Sequence, residues 1–344
     1  MFWLRKMYSR PDLIILPGNN FVAYGFYGSA DRPIEAPVKG ESLMMNLKKR
    51  PKREATMTLG DWISAYGMLL PTLILFGALC IFPIYYTLQM SFFDYSGMGE
   101  MKWIGLYNYE RILKDESFWR TVKTTLWFTI IIPLIQIPLS LMISVILNGK
   151  IKGRDFFRAF YFLPNITSTA IMGIIFYFMF STHNGIINGL LGLPIEWLGT
   201  PSLARWVIVI FTCWANVGFY VVLFLAGLQK IPADVYESAV LDGASGVQTF
   251  FRITIPMLGG YFKTIAMLCI LNASKLFDSV KVLTNGGPGG KTEVLSMYIY
   301  RYYFEPTGGV AQQGYASAVA MASVVIIVAI AIVFNLATRR LGEE

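Results

Sequence analysis

Six apolar runs dominate the chain, at about 65–92, 120–148, 156–180, 205–229, 261–284 and 313–338. Each is long enough for the hydrocarbon core of a bilayer, which a helix crosses in about 20 residues. Backbone in lipid must satisfy its own N–H and C=O groups, so runs of this kind fold as helices. The expectation is an all-α, polytopic membrane protein with six transmembrane helices. Composition agrees: only 15% of the 344 residues are charged, against about a quarter in soluble domains. Pro71, Pro83, Pro133 and Pro138 fall inside the first two runs. Membrane helices tolerate such prolines because neighbours re-satisfy the freed carbonyls, so kinked helices are expected.

The lysines and arginines predict the orientation. Clusters lie at Lys48–Arg53, at Lys150, Lys152, Arg154 and Arg158, and at Arg339 and Arg340. Six spans put all three on one side, which the positive-inside rule makes cytoplasmic. Both termini and the segment 230–260 then face the cytoplasm, and the loops 93–119, 181–204 and 285–312 face outward. Residues 1–60 are expected to be a cytoplasmic tail, largely disordered, because no helical or strand period persists there. Residues 61–344 form the transmembrane domain.

Several chemistries are disfavoured. Cys80, Cys213 and Cys269 all lie in apolar runs with no Cys-x-x-Cys spacing, as small packing residues do. With the lone His183 they offer no metal set and no catalytic pair. The segment GGPGGKT at 286–292 ends like a phosphate-binding loop, but Asn285 stands where its first glycine belongs. It reads as a tight turn after the fifth span. The net charge of +8 suits cytoplasmic loops and anionic headgroups, so no nucleic-acid partner is expected.

Two polar edges interrupt the apolar spans. Asn272, Lys275 and Asp278 recur at three-residue spacing, and Asn216 and Tyr220 lie in WANVGFYVVLF. A membrane-embedded charge costs roughly 2.5–3.5 kcal/mol and so faces protein or water. The i,i+3 spacing lets Lys275 and Asp278 pair on one face. An ion pair and bundle-gluing amides would serve packing alone; the functional reading is a hydrated solute path. Amides and aromatic rings suit a sugar, whose hydroxyls need donors and acceptors and whose C–H faces stack on rings.

The stretch YESAVLDGASGVQTFFRITIPML, at 236–258, is polar and glycine-punctuated. Pro232 and Asp234 suit a helix start, and Gly243 suits a left-handed C′ position. A second short helix then runs to Pro256. Two helices at a sharp turn would project from the cytoplasmic face. Only Arg252 is basic between 233 and 258, so docking on a protein fits better than docking on anionic lipid.

This stretch resembles the EAA motif of binding-protein-dependent ABC importer permeases, EAA-x3-G-x9-I-x-L-P. Here it reads Glu237-Ser238-Ala239, Gly243, Ile253, Ile255 and Pro256, with the spacing kept. Ser238 replaces Ala and Ile255 replaces Leu. LTNGGPGGKTEVLSMYIYRYYFE (283–305) and GYASAVAMA (314–322) are similar to permeases of the maltose, lactose and glycerol-3-phosphate type. The resemblance covers about 65–340 and implies a type I importer permease bundle with a MetI-like fold. It implies that the segment 232–256, including Asp242, couples to an ATPase, and that this chain itself binds no cofactor, ATP and magnesium belonging to the partner. It implies as partners two cytoplasmic ATPase subunits, a second, homologous permease chain, an extracellular solute-binding protein and the lipid of a bacterial inner membrane. Solute contacts are implied at the segments matching 212–220 and 269–276, which bring in Phe219, Ala273 and Leu276. This polar set departs from the maltose pattern, so a carbohydrate is expected, with a sugar- or glycerol-phosphate as the alternative.

Overall fold

The computed structural model describes residues 13–15, 21–23, 59–149, 153–305 and 309–339. By its internal contacts the chain divides into residues 1–74 and 75–344. The first unit contains an antiparallel pair, β1 (Leu13–Ile15) and β2 (Phe21–Ala23), with Ile14 opposite Val22. These six residues are paired backbone; the runs LII and FVA are apolar and partly β-branched, as strands prefer. The rest of the tail expectation lies outside the described residues. The unit also holds the start of the first membrane helix, α1 (Leu59–Phe76).

In the second unit a π-helical turn (Gly77–Ile81) leads into α2 (Phe82–Met90). A short hairpin of β3 (Phe93–Asp94) and β4 (Lys102–Trp103) follows, then α3 (Tyr107–Lys114). The centre of the unit is α4 (Glu116–Asn148), packed along α8 (Pro201–Leu228). Between them in sequence come α5 (Arg154–Ile166), α6 (Thr169–Met179) and α7 (Ile186–Leu191). After α8 come α9 (Ala233–Leu241), α10 (Gly246–Thr249), a π turn (Phe250–Thr254) and α11 (Ile255–Met257). The chain finishes with α12 (Gly259–Ser274), α13 (Asp278–Leu283), α14 (Leu295–Phe304) and α15 (Gln313–Ala337).

Among the described residues four helical runs are long and apolar enough to span a membrane, and two bent pairs, each counted as one span, bring the number to six. The third expected span, 156–180, is not one helix: α5 and α6 meet at 102°. Thr167 is extended there, and its hydroxyl donates to the Leu163 carbonyl, 2.8 Å. Pro164 lacks an N–H one turn before this corner, which weakens the helix where it bends. The fifth expected span, 261–284, also differs. Its helix follows a 73° bend from the 246–257 segment and stops at Ser274. Lys275 to Phe277 form a break before α13.

Close approach of backbones fixes the centre. A Cβ on Gly218 of α8 would lie 2.3 Å from the Tyr161 carbonyl oxygen of α5, so only glycine lets these helices touch. The core is layered along α4 and α8. Phe128, Ile132, Ile208 and Phe211 pack with Val280 and Met297 toward one end. Ile137, Leu141, Tyr220 and Phe224 pack with Ile265 and Cys269 toward the other. One stripe of α4 is polar yet buried: Thr121, Thr125 and Thr129 return their hydroxyls to carbonyls four residues back, at 2.8–2.9 Å. Thr125 also accepts from the Leu295 N–H, 2.9 Å, tying α14 to α4.

Candidate functional site

Two regions concern the expected function: a polar cleft inside the bundle and an exposed corner at 232–257. The cleft is set by the break after α12. Because the helix stops at Ser274, Lys275 and Asp278 stand on either side of an irregular turn rather than on one helical face. No ion pair joins them; among the described residues the ion pairs are Lys281–Glu305 and Arg301–Glu293. The expected pairing is therefore corrected, because the spacing argument assumed a continuous helix. Both side chains are exposed and line a cleft of about 190 Å³ together with Asn216, Tyr220 and Asn272.

Hydrogen bonds preset this cleft. Asn272 Nδ2 donates to Tyr220 Oη, 3.1 Å, joining α12 to α8. Asn216 Nδ2 donates to the Thr212 carbonyl, 2.8 Å, which leaves its amide oxygen outside that bond. Thr212 Oγ1 donates to Ser279 Oγ, 3.1 Å, joining α8 to α13. Gln136 of α4 also lines the cleft, fully buried. With its amide turned to match its neighbours, it donates to the Cys213 carbonyl and accepts from the Val217 N–H, at 3.1 and 3.2 Å. Ala273 and Leu276 complete the apolar wall. Phe219 lies outside the lining; its ring stands edge-on to Tyr220 at 5.2 Å. Gln136, Thr212 and Ser279 were missed by sequence reasoning. Gln136 carried a signal, as the one amide within the apolar run 125–147; the two hydroxyls carried none.

The corner begins with Pro232 as the residue flanking α9, one position earlier than the sequence suggests, and Asp234 in the first turn. The helix closes at Asp242 and Gly243, the latter at φ +74°. Gly243 N–H bonds the Val240 carbonyl and Ala244 N–H the Ala239 carbonyl, at 3.0 and 2.9 Å. This is a Schellman closure, and it requires a left-handed residue at the glycine. Ser245 and Gln248 then form a capping box that starts α10. The expected second helix is broken by the π turn at Phe250–Thr254, which shifts the following side chains around the axis.

Burial divides the corner. Ala239 and Thr254 are buried, and Ile253 is half-buried. Tyr236 Oη lies 3.3 Å from Thr254 Oγ1, holding α9 against the π turn. Glu237, Ser238, Asp242 and Pro256 are exposed. So are large apolar side chains: Val240 is 71% exposed, Leu241 87%, Val247 69% and Phe251 62%. An apolar set of this kind at a helical corner marks a contact surface for another protein or for the membrane.

These features define a membrane-embedded helical bundle with an internal polar cleft and an exposed apolar corner, the design of a transport subunit. The chain belongs to the binding-protein-dependent transport system inner membrane component family, whose pattern matches residues 136–343. It is 34% identical over 274 residues to the trehalose/maltose transport system permease protein MalF of Thermococcus litoralis, covering 78% of this chain and 91% of that one. It is 32% identical over 250 residues to the multiple sugar-binding transport system permease protein MsmF of Streptococcus mutans, covering 72% and 85%. Over 252 residues it is 32% identical to the lactose transport system permease protein LacF of Rhizobium radiobacter, covering 70% and 84%. The fold matches a crystal structure of a bacterial ABC transporter involved in the import of the acidic polysaccharide alginate, at TM-score 0.72 and 24% identity over 87% of this chain and 99% of that one. A structure of a bacterial alginate ABC transporter with a periplasmic protein bound to alginate pentasaccharide matches at TM-score 0.71 and 26% identity, over 82% and 96%. The expected all-α importer permease bundle is thereby the observed fold. As a multi-pass inner-membrane component, the chain is a transport subunit rather than an enzyme.

Proposed function

We propose that this chain is one of the permease subunits of an ATP-driven importer, passing a carbohydrate delivered by an external solute-binding protein. The observation that carries the reading is the corner at 232–257: a rigid Schellman turn and capping box presenting Val240, Leu241 and Phe251 to whatever docks there. Sugar-transport relatives support the substrate class. The solute-binding partner is supported by the complex of the related alginate transporter with its periplasmic protein. ATP and magnesium bind two separate cytoplasmic ATPase subunits, and a second permease chain completes the pore. The termini and the corner face the cytoplasm, in the orientation the basic clusters favour.

In this reading Glu237, Ser238, Ala239, Asp242, Gly243, Ile253 and Pro256 shape the coupling surface. Asn216, Tyr220, Asn272, Lys275 and Asp278 line the solute path, with Phe219 beside them. Donors, acceptors and the Tyr220 ring in one cleft match the hydroxyls and C–H faces of a sugar. Two states of the bundle exchange, and ATP and the loaded receptor each shift the balance by binding one state better.

Solute uptake and ATP hydrolysis, measured together in the reconstituted importer, test both parts. Gly243→Asp places a side chain at φ +74° on the docking surface; uptake should fall to background while the chain stays in the membrane. Asn272→Leu should lower uptake about tenfold and leave basal ATP hydrolysis intact, in line with the loss of one hydrogen-bonding group from the cleft. Normal uptake by the first variant sinks the coupling role, and normal uptake by the second sinks the path.

A further inference from the structure

A second cleft, of about 690 Å³, plays no part in that scheme. It lies where the N-terminal turns of α4 and α8 meet the loop at Lys291. Lys114, Arg120, Lys123, Arg205 and Lys291 line it, with Glu116 as the one carboxylate. Among the described residues none of the five cations has an ion pair, although Arg120 also acts on the nearby buried Glu293. Arg205 is held in place: its Nε and an Nη donate to the Lys291 carbonyl at 3.0 and 2.8 Å, and it lies 5.8 Å from the Trp127 ring centre. Arg120 lies over Gly290, 3.1 Å from where a Cβ would be. Five like charges gathered around one acid repel one another, and an anion in the cleft would relieve that.

The position of the cleft selects the anion. Lys123, Trp127, Ile130 and Leu134 follow one another at steps of four, three and four, so they share one face of α4. Ile130 and Leu134 are exposed apolar residues. On α8, Trp206 and Ile210 repeat the pattern and are also exposed; the Trp127 and Trp206 rings meet edge to face at 5.6 Å. Ile132 and Gln136, which line the solute cleft, are about 200° around the helix from Ile130 and Leu134. The basic cleft therefore opens away from the solute path. Cations sit above paired tryptophans, and a greasy stripe runs below them. A helix of 33 residues is about 50 Å long, some 20 Å more than the hydrocarbon core, so its first turns stand at headgroup level. Tryptophan at that boundary is the usual interfacial anchor.

We propose that this cleft binds the phosphate headgroup of an anionic phospholipid, with the acyl chains lying along Ile130, Leu134, Trp206 and Ile210. A soluble solute or a receptor lobe would match the charge but would leave the apolar stripe without a role.

The test uses the full chain purified in an uncharged detergent, with lipids retained on it counted by native mass spectrometry. Phosphatidylglycerol and phosphatidylcholine of the same acyl chains are offered at equal concentration. Phosphatidylglycerol should be retained preferentially, and the preference should weaken as salt rises. Lys114→Gln with Lys123→Gln alters two exposed side chains and should cut that retention about 25-fold, at about fivefold per cation. Lys102→Gln, an exposed cation outside the cleft, should leave it unchanged. Equal retention of the two lipids, or full retention by the double variant, overturns the proposal. So does inorganic phosphate competing as strongly as the lipid, which would make this a site for a free anion. A purified solute-binding protein that loses attachment in the double variant while phosphatidylglycerol stays bound would overturn it in favour of a protein partner.

Discussion

Two acids near the loop end of the bundle behave in opposite ways, and their surroundings explain why. Burial works against ionised Asp115, but its carboxylate accepts from Tyr298 and Tyr315, at 2.5 and 2.7 Å, and from the N–H groups of Ser117 and Phe118. Together these donors hold its pKa below the ordinary 3.8. Glu293 is 3% exposed. Burial pushes its pKa up against the pull of Arg301 and Arg120. A lowered acid adds stability that is present above its unfolded pKa and lost as pH falls through the folded one. A raised acid adds stability only at low pH, lost as pH rises through its folded value. Asp115 therefore stabilises the protein at neutral pH, and Glu293 does not. Asp115→Asn should cost about 1–2 kcal/mol at pH 7 and much less below the ordinary carboxylate range. Thermal unfolding in detergent at pH 7 and pH 3 reads the difference; an equal cost at both values would mean that the charge is irrelevant. The node was invisible in the sequence, because Asp115 is 183 and 200 positions from its tyrosine partners.

At the level of elements, the lengths and apolar character of the spans were legible, and so was the corner. Its glycine, its caps and its prolines act locally, and local chemistry is what a sequence displays. The breaks within the third and fifth spans were not legible. They depend on tertiary contacts: α6 packs against α13, and a Cβ on Gly173 would come 2.7 Å from Val282. The same dependence makes Gly218 a sharp test of how α5 seats on α8. Gly218→Ala would drive a methyl group into the Tyr161 carbonyl, 2.3 Å away. The helices must separate, at a cost of about 1–3 kcal/mol. Crosslinking between cysteines placed on the two helices should slow, and the melting temperature should fall. An unchanged melting temperature would mean that the two backbones are not in contact.

For the whole molecule, the polar cleft was half legible. Asn216, Tyr220, Asn272, Lys275 and Asp278 were chosen as polar residues in apolar runs, and the fold gathers them in one place. Phe219 was carried by resemblance and stands just outside. Gln136 comes from a helix distant in sequence, and no spacing rule links it to the others. Asn216, Tyr220, Asn272 and Gln136 in the cleft have hydrogen-bond partners inside the chain, whereas the corner displays an apolar tip with no cover among the described residues. That tip has a consequence for the life of the subunit in the cell. On the proposed reading, a copy synthesised without an ATPase partner would display Leu241 and Phe251 to the cytosol, much as a misfolded protein would. Surplus copies should then be short-lived, and the supply of one gene product would set the lifetime of another. A pulse-chase of this chain with and without the ATPase co-expressed reads that directly: a half-life that does not lengthen with the partner present would mean that the tip is not what marks the orphan for degradation.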